Sequence, residues 1–257
     1  MLTSDALFNG GLIIFQEESG YRFSVDALLL AGLTGIRPRD RVVDLGTGCG
    51  VVLLIFAYRR LGLELVGLEI QPELAELAEK NICANGFSNL IRICRHDFRQ
   101  VGDLIEPEHF DLLVSNPPFR RLETGRVNPH EQRAKARHEL LASVSDVFKA
   151  GKYLLRQGGR LAVIYPSTRL AHLMVVAQQN GFAPKELTVI RSRPSSPACL
   201  VHLECRKGGG EELRIAPPFI IYQEGTTYSA AMERLLQDGG GRAKPDESPC
   251  SGKIPSG

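Results

Sequence analysis

The chain has 257 residues, 43% of them hydrophobic and 23% charged, with a net charge of +2. That length holds one large α/β domain with decorations or two small domains, and the balance is that of a soluble globular chain. A charge so close to neutral excludes nucleic-acid binding by global attraction, so any such affinity must come from local clusters.

No apolar run is long enough to cross a bilayer, and Met1–Asp5 lacks the basic and apolar pattern of a leader, so neither is expected. Six cysteines (Cys49, Cys83, Cys94, Cys199, Cys205, Cys250) form no Cys-x-x-Cys pair. The pattern predicts no metal site and no disulfide framework, and cytoplasm as the compartment.

Residues 8–23 predict a hairpin: Leu12–Phe15, a polar turn at Glu17–Gly20, then Tyr21–Phe23. Ser24 is the candidate N-cap of the following helix, with Asp26 in its first turn, and Leu28–Leu33 is expected to be buried. From Arg41 strand and helix patterns alternate. Strands are predicted at 41–45, 64–68, 90–94, 110–115, 159–165, 185–191 and 199–205, and helices at 49–60, 72–85, 139–156 and 168–180. Alternation of this kind implies a largely parallel sheet covered on both faces. The last two strands have no helix between them, so they are expected to pair antiparallel at one edge. From Gly239 the tail is rich in Gly, Pro and Ser, a composition that cannot bury a core.

Val42-Val43-Asp44-Leu45-Gly46-Thr47-Gly48-Cys49-Gly50 reads as a strand entering a tight glycine turn that opens a helix. Glycines there let backbone approach a ligand and bring unpaired helix N–H groups to an anion. A dinucleotide is the obvious competitor. The spacing, however, is G-x-G-x-G, and Asp44 would set a carboxylate close to a pyrophosphate. S-adenosylmethionine reverses those demands, since its ammonium suits Asp44 and its carboxylate suits donors at a helix start. Glu69 ends the next strand and can accept both ribose hydroxyls; the bland alternative is a solvated loop acid. After the third strand, Asp97 can accept the adenine exocyclic amine with Phe98 beside the ring, or it can simply cap a helix.

Asn116-Pro117-Pro118-Phe119 follows the apolar run Phe110–Ser115. The Asn side-chain oxygen accepts an amine N–H, the prolines fix the backbone and hold carbonyls as rigid acceptors, and Phe119 offers a stacking face. As a bare tetrapeptide it is equally a strand-ending turn.

With these motifs in order, the chain resembles class I S-adenosylmethionine-dependent methyltransferases over residues 8–235. In that family the tetrapeptide marks transfer to nitrogen conjugated with a planar system: adenine N6, guanine N2, cytosine N4 or a glutamine amide. Within the class it is similar to the bacterial tRNA(Val) adenine-N6 methyltransferase group, through Gly20–Leu30, Asn128–Glu131 and Ala136–Glu139. That group commonly has Tyr where this chain has Phe119, a residue frequent among guanine-N2 enzymes.

The resemblance implies an α/β, Rossmann-like sheet of seven mostly parallel strands with an antiparallel edge strand, plus an N-terminal β-hairpin. It implies a hairpin-and-helix segment over 1–33 packing on the cofactor site, a catalytic domain over 34–238 and a tail over 239–257. It assigns Phe23, Ser24, Asp44, Gly46, Thr47, Gly48, Gly50, Glu69, Asp97, Phe98 and Asn116 to the cofactor, and Asn116, Pro117, Pro118 and Phe119 to catalysis.

Between Arg120 and Arg137 six cations (Arg120, Arg121, Arg126, Arg133, Lys135, Arg137) face two acids, a local charge of +4. Beside the catalytic turn they would attract RNA phosphates, as would Arg191-Ser192-Arg193 further on; a charged solvated loop is the plain alternative. His138 is read as structural. An RNA, expected to be a tRNA, is therefore the foreseen partner. Guanine N2 of an rRNA, a glutamine amide of a protein, or a silent module that keeps the fold without activity, are the competing readings.

Overall fold

The computed structural model describes residues 2–18, 23–59, 62–117 and 142–239. Eleven strands and six α-helices are found among them. Strands β1 (Leu2–Leu7) and β2 (Leu12–Glu17) form a hairpin with Leu7 opposite Leu12. Its turn therefore lies at Phe8–Gly11 and not at Glu17–Gly20, a correction to the expected register. Phe8, Asn9 and Gly10 all have positive φ, and Gly10 N donates to Leu7 O. Asn-Gly is the residue pair best suited to such a turn. Of the second strand once expected there, Tyr21 and Arg22 lie outside the described residues.

Helix α1 (Val25–Leu33) follows, then β3 (Arg41–Leu45), α2 (Val51–Tyr58), β4 (Glu64–Glu69), α3 (Pro72–Ala84), β5 (Ile91–Arg95) and β6 (Phe110–Ser115). After the undescribed stretch come α4 (Val144–Leu154), β7 (Leu155–Pro166), α5 (Leu170–Gln179), β8 (Phe182–Arg191) and β9 (Ala198–Lys207). Short strands β10 (Arg214–Ile215) and β11 (Phe219–Ile220) and helix α6 (Ala230–Asp238) close the fold. Helix α4 starts at a capping box of Ser143 and Asp146, while the β-branched and glycine-rich run after Leu154 leaves the helix for the sheet.

The large sheet runs β10-β8-β9-β7-β6-β3-β4-β5, with β11 also on β8. Strands β3 to β7 pair parallel, and the foreseen antiparallel pair stands at one edge. The antiparallel member is β9, which slots between β7 and β8 and is antiparallel to both. Two-residue strands then extend the seven main strands to nine.

Alternation along the strands sorts side chains into two cores. Val42, Leu112 and Val114 face α1, α2 and the hairpin, whereas Val43, Leu113 and Val163 face α4 and α5. Each such fully buried aliphatic is worth about 1.5–3 kcal/mol of hydrophobic transfer, which is why the period-2 pattern governs the layering. Helix α2 is buried from Val51 to Ala57, so its N-terminus is fixed at the sheet edge. Helix α6 returns to α1, where Leu235 fills the space that Gly32 leaves open.

Candidate active site at the carboxyl edge of the sheet

In register, Leu45 of β3 lies opposite Leu68 of β4, Glu69 opposite Arg95 of β5, and Asp44 opposite Val114 of β6. Four parallel strands thus end together, and their last residues and the segments that follow gather Asp44, Glu69, Asp97 and Asn116 along one edge. Open α/β sheets bind ligands at this edge, beyond the strand ends.

The glycine turn is built by unusual backbone. Gly46, Gly48 and Gly50 have φ of 73°, 58° and 83°, conformations that favour glycine. Gly46 N and Thr47 N both donate to Leu68 O, tying the turn to β4. Gly50 is the residue before α2, without a side-chain cap, so the first amides of that helix have no side-chain acceptor there. Thr47 has room because Gly67 of β4 lacks a Cβ, which would stand 2.8 Å from Thr47 Cγ2.

Asp44 is 2% exposed, and its Oδ2 accepts from Thr47 Oγ1 at 2.8 Å. Burial pushes its carboxyl up to about 7, the Thr47 bond opposes this, and nearby Glu69 adds to it. A buried carboxylate so poorly compensated favours a cationic group beside it. Glu69, 4% exposed, accepts from Gly48 N through Oε2 and from Gln71 N through Oε1, each at 2.9 Å. Both oxygens keep further lone pairs.

Asp97 caps the 3₁₀ turn Phe98–Asp103 by accepting from Arg99 N, and both its oxygens also receive the Arg99 guanidinium. Those bonds hold its carboxyl below the usual range. The capping alternative is thus realised, and any adenine contact must share the carboxylate with Arg99. Phe98 is half-buried against the α4 core. Phe23 is half-buried too, and Ser24 caps α1 by accepting from Asp26 N.

Asn116 follows β6, whose last residue Ser115 donates from Oγ to Leu45 O at 2.8 Å. This bond fixes the end of β6 against the end of β3. Asn116 Oδ1 is buried and has no hydrogen-bond partner among the described residues. Pro117 beside it is buried. Pro118, Phe119 and the cations Arg120, Arg121, Arg126, Arg133, Lys135 and Arg137 lie outside the described residues, as does His138.

Three residues with a clear positional role escaped sequence reading. Asn81 of α3 is fully buried, with its amide bonded to Phe15 N, Phe15 O and Cys49 O at 2.7, 3.1 and 3.0 Å. It therefore joins the hairpin to the glycine turn. Asn85, one turn later, grips Ile13 N and O in the same manner. Gln16 accepts from Phe23 N and donates to Asp5, which sets the approach to α1. A signal for Asn81 did exist, because the buried stripe Leu74, Leu77, Ala78 runs on to it at helical spacing.

Comparison with known proteins agrees with the class that fold and site define. A solved Agrobacterium tumefaciens structure described as a predicted O-methyltransferase superposes with a TM-score of 0.68 at 24% identity, over 83% of this chain and 96% of that one. TrmN from Thermus thermophilus gives 0.50 at 23% identity, over 70% of this chain and 48% of that one. The methyltransferase small domain profile matches residues 24–177. The chain belongs to that family and is an S-adenosylmethionine-dependent methyltransferase by class. Curated relatives named tRNA1(Val) (adenine(37)-N6)-methyltransferase include one from Porphyromonas gingivalis, 34% identical over 70% of this chain and 72% of its own length. Another from Vibrio vulnificus is 26% identical over 88% and 91%. Among the described residues, no helix is long and apolar enough to cross a membrane, and no cluster of His, Cys, Asp or Glu is arranged to hold a metal.

Proposed function

We propose that this protein methylates N6 of an adenine in a tRNA, using S-adenosylmethionine. The observation that carries the reading is the buried Oδ1 of Asn116, without a partner among the described residues, at the carboxyl edge alongside Asp44 and Glu69. Leaving such an acceptor unsatisfied costs about 1–3 kcal/mol, so it suits a donor brought by the substrate. The names of the curated relatives and the basic run Arg120–Arg137 support RNA as the carrier of that donor.

Bound at this edge, S-adenosylmethionine supplies an electrophilic methyl group on a sulfonium. Asp44 holds its ammonium, the first amides of α2 its carboxylate, and Glu69, oriented by Gly48 and Gln71, its ribose hydroxyls. Phe23, Ser24, Asp97 and Phe98 complete the enclosure. The target amine is a weak nucleophile because its lone pair is delocalised into the ring. Asn116 Oδ1 and the Pro117 carbonyl accept its two N–H bonds, favour a tetrahedral nitrogen and stabilise the charge that develops on it. The proton leaves after transfer, so no strong base is needed in advance. Phe119 stacks on the extruded base. Such a substrate makes the cytoplasm the place of action.

The test is incubation of the purified protein and labelled S-adenosylmethionine with unmodified tRNA transcripts, followed by nucleoside mass spectrometry. N6-methyladenosine is the expected product. N2-methylguanosine, which Phe119 keeps as the second reading, would move the target base, and label in protein alone would overturn RNA altogether.

A further inference from the structure

Beyond the target base, we propose a second RNA contact further along the carboxyl edge of the sheet: a stacking and phosphate site made by Tyr222, Tyr228 and Arg193. It rests on the reading of RNA as substrate and names where nucleotides outside the catalytic pocket are held.

Strand β8 is parallel to β7, since both are antiparallel to β9. Its end at Arg191, and the turn that follows, therefore share the carboxyl edge with Asn116. Ser167 Oγ, just after β7, donates to Ala198 O at 2.6 Å and joins that turn to the rim. Between β6 and β8 lie two strands, so the turn stands three strand spacings, about 14 Å, from the catalytic strand end. A few nucleotides of single strand cover that distance.

The segment after β11 is fastened on this turn. Ile221 N donates to Arg191 O and Tyr222 N to Ser192 O, at 3.0 and 2.8 Å. The chain then loops back so that Tyr222 and Tyr228 form a bridge, with their rings stacked 5.1 Å apart at 15°. Tyr222 packs on the same core as Phe23, whereas Tyr228 stays 39% exposed. The stack therefore presents an aromatic platform already held in place on one side.

Cations flank it. Arg193 is exposed and reaches the loop by donating from Nη2 to Gly225 O at 2.9 Å. Arg191 donates from Nη1 to Pro194 O at 3.1 Å, while its Nε is buried without a hydrogen-bond partner among the described residues. A fixed aromatic face beside guanidinium groups is the chemistry that holds unpaired nucleotides: a base stacks and a phosphate pairs. The partner it fits is a single-stranded RNA segment continuous with the target nucleotide.

The experiment measures fluorescence anisotropy binding of an unmodified tRNA(Val) transcript and steady-state methylation of it. Wild type, Tyr228→Ala, Tyr228→Phe and Arg193→Ala are compared. Tyr228→Ala is expected to raise the RNA Kd and KM about 10-fold. Its kcat at saturating RNA and its S-adenosylmethionine affinity should stay near wild type, and Tyr228→Phe should restore RNA binding. Arg193→Ala should lower the slope of log Kd against log salt by about one. Wild-type RNA affinity in Tyr228→Ala would overturn the second contact while leaving RNA methylation standing. RNA binding that depends on Tyr228 without methyl transfer would overturn the proposed function and keep the contact. No RNA binding by the wild type would overturn both.

Discussion

Glu69 and Asn116 stand at strand ends on either side of β3 yet are held in opposite ways. Glu69 is oriented by its own chain, with one amide, from Gly48 or Gln71, on each of its two oxygens. Asn116 is positioned, through the Ser115 bond to Leu45, but its buried Oδ1 has no partner among the described residues. The first arrangement satisfies a buried carboxylate within the chain and holds it in one orientation. The second leaves an acceptor open among the described residues, which the proposed function fills with the donor of the substrate. Asp44 falls between them, with one bond from Thr47 and a carboxyl pushed up to about 7 by burial. Under the proposed function the contrast separates affinity for the cofactor from chemistry on the substrate, and the substitutions at Asn116 and Asp44 should each move one without the other.

The largest effect is expected at Asn116. Asn116→Ala should lower kcat by about 10²–10³-fold, the loss typical of one preorganised acceptor or donor at developing charge. Cofactor affinity by titration calorimetry should hardly change. The folded protein should be no less stable, because an unsatisfied buried acceptor has been removed. A marked fall in thermal stability would mean that Oδ1 has a partner in the folded chain, and the contrast with Glu69 would disappear.

Asp44→Asn should do the reverse. Loss of the charge is expected to weaken S-adenosylmethionine binding by about 10–100-fold, as for other buried charge-assisted pairs. The unliganded protein at pH 8 should become more stable, since the variant no longer buries a poorly compensated carboxylate. Chemical denaturation of both proteins tests the pair of outcomes together. Unchanged cofactor affinity would remove Asp44 from the ammonium site.

What the sequence disclosed and what it hid divide along the same line as local and distant causes. The turn at Gly46–Gly50 and the acid at Glu69 are legible because a strand, a glycine spacing and a strand-end carboxylate are all read within a few residues. The hairpin register is not legible because Asn9-Gly10 and Glu17–Gly20 are both turn signals, and polar Thr3, Ser4 and Asp5 hide β1 from a hydrophobicity pattern. The seating of β9 between β7 and β8 depends on which edge a returning strand meets, and no local pattern carries that. The burial of Asn81 is legible in its helical stripe, but its partners are not, because Phe15 and Cys49 are 66 and 32 residues away.

Asn81 also tests how far preorganisation extends beyond the site. Asn81→Ala strips partners from Phe15 N, Phe15 O and Cys49 O, and about 2 kcal/mol of stability should go with them. Asn85→Ala, at the exposed end of the same ladder, should cost about half as much, because water can replace its bonds to Ile13. Equal losses at the two positions would show that the hairpin contact, and not burial beside the glycine turn, sets the value.

The smallest effect is expected where two buried groups oppose each other. His202 is fully buried; its Nε2 meets Thr34 Oγ1 at 3.1 Å, and Thr34 in turn donates to Leu30 O. The imidazole therefore donates from Nε2 and is neutral, and burial draws its pKa down from 6.5 to about 4. A group whose folded pKa is depressed contributes stability above its unfolded value, here near 6.5, and loses it as pH falls towards 4. Asp44 behaves in the opposite sense. Its folded pKa is raised from 3.8 to about 7, so the folded state holds the proton longer and stability falls as pH rises through that window. The two contributions run in opposite directions with pH and offset each other in the wild type. The variants should uncover them. Between pH 4 and 7, the stability of wild type relative to Asp44→Asn should fall as pH rises. Relative to His202→Gln, which keeps a donor for Thr34, it should rise. Denaturant titrations across that range read both slopes, and two slopes of the same sign would show that one of these groups is not held in the folded state with the charge assigned to it.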